Sequence, residues 1–147
     1  MTDDSPTAHT SVDTPTDRVY AYEMAVERSF IAQHYLTVPE PEPPEGSVHS
    51  HHYTIVVELA GPELGPYGYL LDITVLEDLL DEIEARYRDT LLNDCAPFEG
   101  QNPSVERFAT VIADELAPAL AEEPPERLRV TVWEDDEAWA RHTRPLA

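Results

Sequence analysis

Three of the six histidines, His34, His49 and His51, stand where one metal ion could use them together. His49 and His51 are two apart in a stretch of strand-like alternation, so both imidazoles leave the same face, while His52 leaves the other. His34 lies just past an earlier alternating segment, and antiparallel pairing of the two segments would carry its ring to the His49/His51 face. Three neutral imidazole nitrogens with a fourth position open is how zinc is held when it does chemistry instead of bracing a fold. Spacing alone leaves a second possibility open, surface histidines beside a proline-rich loop.

The elements that must position these rings can be read from period and punctuation. Residues 1–17 hold Thr, Ser, Asp and Pro with Val12 as the one branched aliphatic, and read as a disordered tail. A domain follows over 18–137, with 138–147 as a C-terminal tail. Tyr20, Tyr22, Met24, Val26 and Phe30 alternate, which predicts a first strand from Val19 to about Ala32. Pro39, Pro41, Pro43 and Pro44 make the next stretch a loop. Alternation resumes over 49–60, with Tyr53, Ile55, Val57 and Leu59 on one face. Turn residues at Gly61-Pro62 and Gly65-Pro66 then predict a short third strand over Tyr69–Asp72, paired as a hairpin.

Thr74 and Glu77 form a capping-box pattern, and Leu76, Leu79, Leu80 and Ile83 recur at helical spacing, so a helix is expected over about 75–87. Asn102-Pro103 opens a second helix that buries Val105, Phe108, Ala109, Ile112 and Leu116 and should stop near Ala117, ahead of Pro118. Leu128, Val130 and Val132 alternate in a fourth strand. The order β-β-β-α-α-β indicates an α+β fold with an antiparallel sheet covered on one face.

The charge balance limits the partners. With nine Lys+Arg, all of them Arg, against thirty Asp+Glu, the net charge is −21, and such a surface repels nucleic-acid backbones and anionic membranes. A lysine-free, acid-rich chain suits a halophile's cytosol, where molar salt shortens the Debye length to roughly 3 Å. One cysteine, Cys95, excludes an intrachain disulfide, and with no long apolar run or basic-then-apolar leader in view the expectation is a soluble, cytoplasmic protein.

Several motifs in order resemble the 6-pyruvoyl-tetrahydropterin synthase family, which includes 6-carboxy-tetrahydropterin synthase. Phe30-Ile31-Ala32-Gln33-His34-Tyr35-Leu36 is similar to its F-x-A-x-H-x-L, and His49-Ser50-His51-His52-Tyr53 to its H-G-H-x-[YF]. Gly68 to Asp72, Leu91-Leu92-Asn93-Asp94, Asn102 to Glu106 and Val130 to Glu134 resemble its G-x-[VI]-x-D-F, L-N-D, N-P-T-x-E and closing strand. The resemblance implies a T-fold, a four-stranded antiparallel sheet with two helices on one face, assembled as a homotrimer or homohexamer. It implies Zn2+ on His34, His49 and His51, a pterin substrate anchored by Glu134 with Ser104 beside it, and a 7,8-dihydroneopterin phosphate as the compound acted on.

Two family features are replaced. The catalytic cysteine four residues before H-G-H is Glu45 here, and the Asp-His pair ahead of L-N is Arg88-Asp89, with Asp89 falling on the family's Asp if one residue is gapped. Glutamate at the cysteine position resembles a subgroup that cuts the pterin's triol side chain to leave 6-hydroxymethyl-7,8-dihydropterin; the alternative product is 6-carboxy-tetrahydropterin. Glu45 and Asp89 are therefore the candidate catalytic residues. A displaced thiol role for Cys95 is the weaker reading of a small packed side chain. Arg28, Arg88 and Arg107 are the candidates for holding substrate phosphate. The alternative function is a degenerate relative that binds zinc and a pterin-like ligand without turnover.

Overall fold

The computed structural model describes residues 16–146, so most of the expected N-terminal tail, residues 1–15, lies outside the described residues. Four strands, β1 (Tyr22–His34), β2 (His49–Gly61), β3 (Arg127–Glu134) and β4 (Ala138–Pro145), form one antiparallel sheet in the order β1-β2-β3-β4. Helices α1 (Ile73–Tyr87) and α2 (Val105–Leu120) cover one face. The α+β architecture with two helices on a four-stranded antiparallel sheet is the one expected.

Period 2 in the strands and period 3.6 in the helices meet in one core. Phe30, Tyr53, Ile55, Val57, Leu128, Val130 and Val132 come from the sheet, and Leu76, Leu80, Ile83, Phe108, Ile112 and Leu116 from the helices; all are buried. Phe108 is the aromatic hub, with the rings of Tyr53, Tyr87 and Phe98 centred 5.2, 5.4 and 5.7 Å from it. Such edge-on aromatic contacts add to the area each ring buries. They seat the first turns of α2 against β2, and that seating fixes the backbone just ahead of the helix.

Five sequence expectations are corrected. The strand expected over Tyr69–Asp72 is a turn: Gly65 N–H donates to the Tyr69 carbonyl (2.8 Å) and Gly68 N–H to that of Gly65 (3.0 Å), a local closure in place of a ladder. Leu70 and Leu71 are nevertheless buried, which is why they read as strand. The fourth strand is instead β4, within the expected C-terminal tail, reached through a turn at 135–137 whose first residue, Asp135, has φ +54°. Aspartate tolerates that left-handed conformation better than most residues. The element order is therefore β-β-α-α-β-β.

The helix boundaries also shift. Asp72, not Thr74, caps α1, its Oδ1 accepting from Thr74 N–H (3.0 Å). Ser104, not Asn102, caps α2 by accepting from Arg107 N–H (3.0 Å). The second helix also runs past Pro118 to Leu120. A proline in the last turn forgoes one helical hydrogen bond, and burial of the Leu120 side chain in the core offsets part of that loss.

His142, on β4, accepts a hydrogen bond at Nε2 from Arg144 Nε (3.0 Å), and Arg144 is also paired to Asp114 on α2 (2.6 Å). Burial, then the Arg144 charge, holds the His142 pKa below its ordinary 6.5, against the opposing pull of Asp114. A depressed histidine pKa means that the folded state binds fewer protons, so this contribution is present above about 6.5 and is lost as pH falls. Acidifying from pH 7.5 to 5.5 should lower the unfolding free energy more in the wild type than in His142→Gln, as measured by denaturant unfolding at constant salt. Equal losses in both proteins would contradict it.

Candidate active site

The antiparallel register sets the last residue of β1 directly opposite the first of β2, His34 against His49, with Ala32 against His51. All three imidazoles therefore extend the inner face of the sheet beyond Phe30 and Tyr53, while His52 lies on the opposite face, exposed. Their ring centroids are 4.6, 4.8 and 4.9 Å apart, and one ligand atom from each lies within 4.8 Å of the others.

Each ring is oriented from behind by an oxygen. His34 Nδ1 is 2.9 Å from the Pro103 carbonyl, His49 Nδ1 is 2.7 Å from the Ser47 carbonyl, and His51 Nδ1 is 2.7 Å from Asp135 Oδ2. Carbonyls and carboxylates only accept, which assigns the proton to Nδ1 in each ring and turns a lone pair outward at each Nε2. His34 and His49 then face each other Nε2 to Nε2 at 3.0 Å, and His51 Nε2 is buried with no hydrogen-bond partner. Converging lone pairs with no proton between them are satisfied by a cation, so the donor set fits a divalent metal, and nitrogen donors fit zinc. Burial pushes the His34 pKa down to about 4, which keeps that ring in the neutral form a ligand needs.

Asp135 stands in the acidic run Glu134-Asp135-Asp136-Glu137, where nothing in the spacing marks it out. It serves as a clamp: one carboxylate oxygen receives His51, the other receives His52 N–H (3.1 Å), and its own N–H donates to the His52 carbonyl (3.1 Å). Hydrogen bonds from His51, then from His52, hold its carboxyl below the usual range. Only the β2–β3 register, Tyr53 opposite Glu134, makes this neighbour visible. Two asparagines within the noticed motifs are also structural. Asn93 donates to the Tyr35 carbonyl and accepts its N–H, both at 3.0 Å, and Asn102 Oδ1 accepts Thr37 N–H (2.8 Å). They hold the chain leaving His34.

The histidines open onto a cavity of about 390 Å3 whose walls include Glu45, Ser104, Glu106 and Glu134. Glu45 reaches it on the proline loop, which is tied to β1's exit by Leu36 N–H donating to the Glu45 carbonyl (2.8 Å). Glu134 Oε1 lies 3.3 Å from His51 Nε2. Of the residues singled out in the sequence, the three histidines, Glu45, Ser104 and Glu134 are thus brought together. Asp89 is not among the cavity walls; it sits at φ +57° past α1 with its N–H on the Ile31 carbonyl (2.7 Å), closing the edge of β1. Cys95 lies away from the cavity, its sulfur 3.6 Å from the Leu91 carbonyl. Arg28 pairs with Asp81 and Arg88 with Glu84, and Arg107 lines a different cavity with Asp114 and Glu115.

The family model described as 6-pyruvoyl tetrahydropterin synthase matches residues 23–145. A 6-carboxy-5,6,7,8-tetrahydropterin synthase of Bacillus subtilis is 31% identical over 104 residues, a match spanning 66% of this chain and 66% of that protein. A putative 6-carboxy-5,6,7,8-tetrahydropterin synthase of Archaeoglobus fulgidus is 30% identical over 99 residues, 67% of this chain and 78% of the other. Among solved structures, the 6-pyruvoyl tetrahydropterin synthase of Plasmodium vivax superposes with a TM-score of 0.70 at 18% identity, covering 84% of this chain and 98% of its own.

A carboxylate behind a ligating imidazole typically tunes metal affinity by about 10–100-fold. Asp135→Ala should therefore weaken Zn2+ binding by about that factor in chelator competition, and His51→Ala should lose it altogether. Undiminished affinity in both variants would remove the three-histidine site.

Proposed function

The chain belongs to the 6-pyruvoyl tetrahydropterin synthase family, and from that premise we propose that it is a zinc-dependent lyase acting on the three-carbon side chain of a 7,8-dihydroneopterin. One observation carries the reading: three converging Nε2 lone pairs open onto the same cavity as Glu45 and Glu134. Bound zinc would polarise the side-chain oxygens and stabilise the negative charge that develops there.

The chain's own groups account for the rest. Glu134 would accept two parallel hydrogen bonds from the amino and N–H edge of the pterin, an arrangement that fixes the ring and its register in the cavity. Ser104, already engaged as a helix cap, lies at the same wall. Glu45 is the base: it takes the proton from the second side-chain hydroxyl as the bond between the first two carbons breaks, and the electron pair passes into the ring system. Protonation of the first carbon then leaves 6-hydroxymethyl-7,8-dihydropterin and a two-carbon aldehyde. The 6-carboxy-tetrahydropterin product needs a different proton route, for which Asp89 is badly placed in this chain. In the Plasmodium vivax neighbour a glutamate is named as a catalytic residue, so a carboxylate in that role has a parallel on this fold.

A second reading has one observation of its own. Asp89 and Arg88, at the positions of the family's acid-histidine pair, are turned to structural tasks, which favours a protein that binds zinc and a pterin without turnover. The same reading of the sheet supports a homotrimer or homohexamer, because β4 and the part of β1 ahead of Ile31, where Asp89 covers it, leave ladder edges that a neighbouring copy can pair. Light scattering should give three or six chains; a monomer would contradict it. A salt-rich cytoplasm accords with the acidic, lysine-free chain.

Incubating the zinc-loaded protein with 7,8-dihydroneopterin compounds and identifying products by mass spectrometry separates the readings. Glu45→Ala should lose at least about 100-fold in turnover, the usual scale for a general base, while keeping its zinc. Full activity in that variant removes Glu45 from the chemistry.

A further inference from the structure

The sheet face turned away from the helices carries a cavity that the chemistry above does not use. It measures about 290 Å3 and is lined by Val56, Glu58, Thr131, Trp133, Trp139 and Arg141. Strand register builds it. Trp133 stands opposite Trp139 across β3 and β4, and one step along the same face Val56, Thr131 and Arg141 share a row. Alternation puts these side chains on the side opposite Tyr53 and Val130. Among the described residues this cavity therefore has no wall in common with the histidine site.

Its charged groups are two, and they are incompletely matched. Arg141 lies over the Trp139 ring, its Cζ 4.8 Å from the centroid, and is held there by Nε donating to Thr131 Oγ1 (2.7 Å). Its Nη2 stops 3.8 Å from Glu58 Oε2, beyond hydrogen-bond reach, and among the described residues that oxygen accepts no hydrogen bond. The guanidinium repels a cationic ligand and the carboxylate an anionic one. A neutral ligand that offers N–H donors to Glu58 and a carbonyl oxygen to Arg141 satisfies both. The rest of the wall is flat and apolar. The indoles of Trp133 and Trp139 have centroids 6.2 Å apart at 50°. That is too close for a ring to enter between them at contact distances of about 3.5 Å a side, so together they form one surface for a planar group to lie against. Trp139 is half-exposed, as such a surface requires. Joining copies edge to edge, as proposed above, leaves this face uncovered: pairing at β4 extends the sheet sideways, and barrels of more than about eight strands keep open space inside.

We infer that this cavity binds a neutral fused heterocycle with an amino–keto edge, the edge that pterins and guanines share, at a site separate from the histidine centre. The ring N–H and amino hydrogens go to Glu58, the ring carbonyl to Arg141, and the ring face to the indoles. Pterins of the class proposed above qualify as ligands, but the site does not depend on that reading.

Trp133 and Trp139 are the chain's two tryptophans, so intrinsic fluorescence reads this cavity directly. Titrating the zinc-loaded protein with guanosine should quench the emission saturably. Adenosine, which lacks the amino–keto edge, should bind at least about tenfold more weakly. Glu58→Gln should weaken guanosine by about ten- to a hundredfold, the scale of hydrogen bonds to a charged group, with far-UV circular dichroism unchanged. Arg141→Leu should weaken it in the same direction. Glu134→Gln, which alters the histidine cavity alone, should leave the titration as it was. Absence of saturable quenching, an equal response to adenosine, or binding that Glu134→Gln abolishes and Glu58→Gln spares overturns the inference. None of these results bears on the zinc-dependent reaction, which product analysis decides.

Discussion

The site depends on one constraint: three imidazoles must present their Nε2 lone pairs to a common point, and each is made to do so by an oxygen behind its Nδ1. The three oxygens come from different places. Ser47 lies at the end of the proline loop, Pro103 precedes α2, and Asp135 opens the β3–β4 turn. The strand register alone brings the rings close; the oxygens choose their tautomers. Each piece of the fold therefore contributes a specific angle, and the aromatic packing around Phe108 matters to the chemistry because it seats the helix whose preceding carbonyl holds His34.

Much of this was legible in the sequence because burial imposes periods. β2 alternates Tyr53, Ile55, Val57 and Leu59 against a solvated face, so its strand character and the shared direction of His49 and His51 follow from period 2. β4 has no such signature. Its residues alternate Trp139, Arg141 and Thr143 with Ala140, His142 and Arg144, and its inward polar groups are satisfied by each other and by Asp114. An edge strand built this way reads as a tail. Leu70 and Leu71 mislead in the opposite sense, since burial in a turn leaves the same apolar pair as burial in a strand.

The candidate site was legible to the same physical limit. Residues within one strand, or joined by one hairpin, could be placed from spacing; residues meeting across long loops could not. Asp135 meets His51 across 84 positions, and only the β2–β3 register shows it. Asp89 is the converse: its sequence position suggests an acid near the chemistry, yet the backbone past α1 turns it to the edge of β1.

X-ray absorption at the zinc edge of the loaded protein tests the central claim most directly. The account requires one zinc per chain with three imidazole nitrogens at about 2.0–2.1 Å and a fourth light-atom ligand from solvent. A sulfur scatterer, fewer than three imidazoles, or no stoichiometric zinc would contradict it.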